Sequence, residues 1–312
     1  MNIDRIIEKY NYSSYLSTIL RKLYPILVEY FLDEKLVFNA LNSTPIVLSK
    51  DVYECMKQNN MLGAIDSGAV VDEDVLRRAV GGYICEPVFS YNGTEKKYEL
   101  KKMNRMIALN ISRLKSSDKI FVIIHEICHM IKSYHNECTI KKDTAIVHSG
   151  LIKWYYHLDN DNGKVKRTLI SENGVGLEEG LNAITEDIIT SRYLDREVNS
   201  PGYVMTKDIS KKLFKYGFED LEEIVLEAQL NHDESKLQKT LGIGYFYFME
   251  FMDKVYKINL DFNKSRTFKE KERIADNLIN LVTDEYMPIR KMFLNKLDEN
   301  KGIKKELAWK KI

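Results

Sequence analysis

Cysteine is scarce in this chain: four thiols (Cys55, Cys85, Cys128, Cys138) in 312 residues. So few, so scattered, do not make a disulfide framework, and they fit free thiols in a reducing compartment. A charge excess is missing too. The 47 basic residues nearly cancel the 46 acidic ones, which removes the electrostatic reason to expect a nucleic-acid or anionic-membrane partner. Long apolar runs are absent: the most apolar one, residues 241–248, is followed by Glu250 and Asp253, short of the roughly 20 residues a spanning helix needs. The first 32 residues carry charges throughout and lack the basic, apolar, small-residue order of a signal peptide. The expectation is a cytoplasmic protein with no membrane span; export by a route without an N-terminal signature stays open. There is no internal repeat and no low-complexity tract. The length allows two or three compact units, each with its own core.

What is present reads as an α+β chain, predominantly helical. Residues 1–40 space Ile, Leu, Tyr and Phe between charges with helical period, which predicts one or two amphipathic helices. A short β-like run at 45–49 and the stretch GGYICEPVFSYNG, with its Gly, Pro and Asn-Gly turn signals, predict a small sheet whose last strand is 106–111. Residues 144–171 show two β-rich arms joined by a tip ending in Asn162-Gly163, a dipeptide that tolerates positive φ, and predict a β-hairpin. The tip does not fit a calcium loop: counted from Asp159, the glycine falls at position five and Ile170 stands where a bidentate glutamate is needed. From 206 onward the pattern is helical, with breaks near Gly217, Asn231 and Asn263. The expected organisation is an N-terminal helical and mixed portion (1–95), a central core (96–205) and a C-terminal helical domain (206–312).

The segment SSDKIFVIIHEICHMIKSY opens with Ser and Asp suited to an N-cap and predicts a helix from about residue 118. At about 100° per residue, Ile120, Ile124, Ile127 and Ile131 share one stripe, and His125 and His129 lie within about 40° of each other on the opposite side. Those histidines are flanked by Phe121, Val122 and Met130, so both faces of the helix are expected to be buried. Two buried imidazoles one turn apart, with Glu126 beside them, need partners, and a divalent cation suits neutral nitrogen ligands. That is the physical case for zinc. The competing reading is a pair of satisfied core histidines, although with six histidines chance would place His-Glu-x-x-His in roughly one such chain in a hundred.

The run His125-Glu126-Ile127-Cys128-His129 resembles the signature of the zincin superfamily of metallopeptidases. A catalytic zinc takes three protein ligands and keeps one position for water, so a third side chain is required. The segment GVGLEEGLNAITEDIIT resembles the Asn-Glu-Gly helix of gluzincins, the zincin branch with a glutamate as third ligand, with Glu178 in place of the asparagine. The resemblance implies Glu179 as the third ligand, Glu178 being the nearest alternative. On that helix Leu177, Leu181, Ile184 and Ile188 form the expected core stripe, while Glu179, Asn182 and Glu186 share the reverse face. Glu186 is then available to accept a hydrogen bond from a ligand histidine.

Two other ligand sets stay open. His135 stands where metzincins place a third histidine, but Lys132 replaces the glycine that turns the chain back. The pairs His125/Cys128 and His135/Cys138 could instead close a structural zinc site. The gluzincin resemblance implies a zinc-dependent hydrolase with Glu126 as general base and acid, a peptide or protein as substrate, and a zincin-like core with a small sheet and a β-hairpin insertion, flanked by helices. It also implies a tyrosine or histidine donor for the carbonyl oxygen, for which Tyr203 and His232 are candidates. Two further alternatives are a non-enzymatic helical interaction or regulatory protein with a structural metal, and a zinc hydrolase acting on a non-peptide bond.

Overall fold

The computed structural model describes residues 1–59, 61, 79–111, 114–162, 164–200 and 203–309. Side-chain caps set the first three helices. Asn2, Ser13 and Asp33 accept from the backbone N–H groups of Asp4, Leu16 and Leu36 and so start α1 (Ile3–Tyr10), α2 (Ser14–Phe31) and α3 (Glu34–Ser43). Three helices thus occupy the region where one or two were expected. The chain continues through β1 (Ile46–Leu48) and α4 (Val52–Gln58) to β2 (Gly81–Asn92) and β3 (Lys97–Leu109). β3 pairs in parallel with β1 and antiparallel with β2, giving the order β1-β3-β2 and leaving β2 at an edge. Pro87 fits an edge strand, where no N–H is needed for a second ladder, and the register shifts at Val88/Phe89. The expected Asn-Gly turn is there: Asn92 Oδ1 accepts from the N–H groups of Thr94 and Glu95. The expected last strand, 106–111, is only the buried end of β3. Its lysine-rich first half hides the period from a sequence reading but pairs with β2.

The motif helix is α5 (Ser116–Lys132). Its N-cap is Lys115, which makes no side-chain cap bond, so the expected Ser or Asp cap is corrected; Asp118 instead lies in the first turn, where a negative charge complements the helix dipole. The expected single hairpin over 144–171 is also corrected. The structure shows four strands, β4 (Cys138–Lys141), β5 (Thr144–Ser149), β6 (Ile152–Asp161) and β7 (Lys164–Asn173), in the order β4-β5-β6-β7. The first arm breaks because Gly150 adopts φ +60, a turn conformation open to glycine at little cost. At the β6–β7 tip Asn162 has φ +54; Gly163 lies outside the described residues. Ala145, Val147, Tyr156 and Leu158 pack with Phe89 of β2, and Tyr98, Leu100 and Met103 of β3 join the same core. A partly buried ion pair links Arg167 of β7 to the buried Glu86 of β2.

Next comes α6 (Val175–Leu194), then α7 (Val204–Phe214), α8 (Leu221–Asn231), α9 (Ser235–Leu241), α10 (Gly244–Lys264), α11 (Phe268–Leu281), a π-helical turn (Val282–Tyr286) and α12 (Met287–Trp309). The breaks expected near Gly217, Asn231 and Asn263 coincide with the ends of α7, α8 and α10. The architecture is mixed and predominantly helical, and among the described residues the strands form two small sheets. No described helix is long and apolar enough to cross a membrane.

The chain divides into two units. The first holds residues 1–149, 153–172 and 185–200; the second holds 150–152, 173–184 and 201–312. The boundary expected at 95/96 falls in the turn of the β2–β3 hairpin, inside the first unit, and that at 205/206 lies close to the 200/201 division. The second unit's core joins Leu151, Leu177 and Leu181 to residues of the C-terminal helices, among them Leu213, Leu241, Phe248, Met252 and Phe293. α6 contributes to both units.

Candidate metal centre

Burial of both faces of α5 follows from its composition. Ile123, Ile124, Ile127, Cys128, Met130 and Ile131 have no exposed surface, whereas His125, Glu126 and His129 keep 7%, 8% and 8%. The polar side is therefore the one that retains access. His125 Nδ1 lies 2.9 Å from Glu186 Oε2. A carboxylate accepts only, so the imidazole donates from Nδ1 and the ring's lone pair is on Nε2. That Nε2 lies 3.2 Å from His129 Nε2, with the rings inclined at 80°.

Two nitrogen ligands of one tetrahedral zinc, each about 2.0–2.1 Å from the ion, stand about 3.3–3.4 Å apart. The observed separation fits this. Glu179 on α6 completes the group: a ligand atom from each of His125, His129 and Glu179 lies within 4.8 Å of the other two. Two imidazoles and a carboxylate make a donor set that binds a divalent cation while leaving one tetrahedral position open. Among the described residues this is the one group of three or more His, Cys, Asp or Glu side chains that could hold a metal.

Glu178, the nearest alternative, has a different task. Its Oε2 accepts from the Leu151 N–H at 3.0 Å and from Gln229 Nε2 at 2.9 Å. A Cβ on Gly150 would lie 2.7 Å from the Glu178 carboxyl carbon, so a larger residue there would have to displace this carboxylate, in addition to the strain of its φ of +60. Neighbours on a helix differ by about 100°, and with Glu178 turned into this network Glu179 has a different aspect. The start of α6 is fixed as well: the N–H groups of Gly174 and Gly176 donate to Asp253 at 2.9 and 2.8 Å. Leu177 and Leu181 are buried as expected, but Ile188 is exposed and is removed from the core stripe. The reverse face is no solvated acidic face, since Asn182 and Glu186 are buried and Glu179 is partly so.

His135 is exposed beyond the C-cap Ser133, and neither it, Cys128 nor Cys138 joins the metal group. Burial raises the thiol of Cys128 to about 12 and that of Cys138 to about 11; neither is a thiolate near neutral pH. His232 Nδ1 lies 3.1 Å from the Gly150 carbonyl oxygen, inside the second unit, and Tyr203 stacks on Tyr256.

Three features escape a reading of the motif alone. Glu126 Oε2 accepts from the Tyr83 N–H at 2.6 Å, so the edge strand β2 holds this carboxylate. β2 comes this close because of Gly81, where a Cβ would lie 2.6 Å from Val122 Cγ1 and 3.2 Å from Glu126 Oε1. A glycine pair opening a strand is a signal of such close approach. The third feature is Lys132, fully buried, whose Nζ donates to Thr185 Oγ1 at 3.0 Å. Compared with known proteins, the chain matches no family model, no curated protein and no solved structure.

Proposed function

We propose that the protein is a zinc-dependent hydrolase of the zincin type, a metallopeptidase, with His125, His129 and Glu179 as ligands and Glu126 as general base and acid. The observation that carries this reading is the convergence of these three ligand atoms within 4.8 Å of one another. The Glu186 hydrogen bond to His125 supports it, as a carboxylate behind a ligand histidine fixes the tautomer that binds metal. The gluzincin resemblance supplies the same ligand set.

When bound, zinc supplies Lewis acidity, polarising a carbonyl and making a nearby water more acidic. Glu126, steadied by the Tyr83 N–H, takes a proton from the attacking water as its oxygen bonds to the carbonyl carbon. The same carboxylic acid then returns that proton to the amine nitrogen as the carbon–nitrogen bond breaks. The edge position of β2, next to Glu126, favours a peptide over a small ester or amide, because an extended chain can pair with an open strand edge.

The test is zinc content and hydrolysis of a mixed peptide library for the wild type, His129→Ala and Glu126→Gln. The expected result is about one zinc per chain, lost in His129→Ala and kept in Glu126→Gln with cleavage abolished. Zinc retained in His129→Ala, or undiminished cleavage by Glu126→Gln, would overturn the proposal.

A further inference from the structure

Lys132, one turn past His129 on α5, is a lysine with no exposed surface, which is rare for this residue type. Its ammonium donates to the Thr185 hydroxyl at 3.0 Å. That oxygen also lies 3.3 Å from the hydroxyl of Tyr30 on α2. Thr185 immediately precedes Glu186, the partner of His125. Two polar ties therefore join α5 to α6, His125 to Glu186 and Lys132 to Thr185. They sit on neighbouring residues of α6 and two turns apart on α5. Further along α6, α2 grips the same helix through Glu29 with Arg192 at 3.1 Å and through Lys22 over the Tyr193 ring at 4.5 Å.

We infer that the Lys132–Thr185 contact positions the metal centre: by fixing where residue 185 of α6 meets α5, it holds Glu186 against His125 Nδ1. Lys132 and Thr185 are positioning residues, and the inference rests on the metal-centre reading. Replacing both partners of a buried polar contact by apolar residues of similar volume is often neutral or stabilising. A contact kept for placement has a different signature from one kept for stability. Placement errors of a fraction of an ångström degrade a metal site, whereas they leave the core intact.

The experiment uses the full chain and cobalt(II) as probe, reading affinity by competition with a chromophoric chelator, the ligand-field spectrum, and thermal stability. Lys132→Met and the double variant Lys132→Met/Thr185→Val are expected to be as stable as wild type or more so. They should bind cobalt(II) about tenfold more weakly, the lower end of what outer-shell partners contribute, with an altered spectrum. Thr185→Ser, which keeps the hydroxyl, should match wild type. Unchanged affinity and spectrum in both Lys132 variants would overturn the inference. So would a joint loss of stability and affinity, or failure of both variants to fold, because the contact would then be structural. If wild type binds no cobalt(II) that His129→Ala abolishes, the metal centre itself falls, and the inference with it.

Discussion

Gly176→Ala is the substitution whose sign the structure decides most sharply. On propensity alone it stabilises a helix, by about 1 kcal/mol in a helix interior and less in a first turn. Against this, the added Cβ would lie 1.9 Å from the Met252 carbonyl oxygen, 2.3 Å from its carbon and 2.8 Å from the Asp253 nitrogen. All three are backbone atoms of α10, so no rotamer relieves the overlap. Restoring an ordinary 3.4 Å contact needs a separation of about 1.5 Å between α6 and α10. That movement would draw the N–H groups of Gly174 and Gly176 away from Asp253. Overpacking costs about 1–3 kcal/mol and loss of a capping carboxylate about 1 kcal/mol. After subtracting the propensity gain, the net loss is about 1–3 kcal/mol. Urea unfolding measures it. Gly82→Ala is the control, since its Cβ would meet nothing within 4 Å; its change should stay below about 0.5 kcal/mol. The displaced turn precedes Glu179 by one turn, so metal affinity should fall as well. A Gly176→Ala variant as stable as wild type would refute the argument that close helix packing sets the position of α6.

Other outcomes follow from the same contacts. Glu186→Leu removes the acceptor from His125 Nδ1 and should weaken metal binding about 10- to 100-fold; isothermal titration reads this, and an unchanged affinity would show that the tautomer is set elsewhere. Arg167→Met leaves the Glu86 carboxylate buried without its ion-pair partner and should destabilise by about 3 kcal/mol, while Arg167→Met/Glu86→Leu should recover most of it in chemical denaturation. If the double variant is no better than the single one, the loss comes from packing rather than charge. Cys128, fully buried with its thiol raised to about 12, should resist alkylation at pH 8 in the native protein, where only about one molecule in ten thousand carries a thiolate, and react on unfolding. Mass spectrometry of modified peptides checks this; rapid native labelling would contradict the burial.

The parts of the site that were legible in the sequence are those fixed by a single helix. His125, Glu126 and His129 are related by helical geometry alone, and so are Glu179 and Glu186, seven residues apart and on one face. The choice between Glu178 and Glu179 was not legible, because it depends on Gly150, Leu151 and Gln229, which are distant in sequence. Ile188 has the period of a core residue but lies exposed, since the elements packed on α6 change along its length. The four-stranded sheet was read as one hairpin because Ser149-Gly150 carries a weaker turn signal than Asn162-Gly163. Lys132 entered the sequence reading only as the residue in place of a metzincin glycine; its burial was not legible, because its hydroxyl partner, Thr185, is more than fifty residues away. The helical character of the C-terminal third, carried by long amphipathic runs, was plain.

The threading of the chain has a consequence for how the molecule is made. It passes from one unit to the other at 149/150, 152/153, 172/173, 184/185 and 200/201, so no single cut releases either unit intact. During synthesis the two motif histidines emerge early, but most of the second unit comes from residues 201–312. The helix bearing Glu179 needs Asp253 to secure its first turn and Gln229 to engage Glu178. A nascent chain stopped short of these residues has the histidines without a fixed Glu179. The arrangement delays assembly of the candidate metal-binding group until most of the polypeptide has been made.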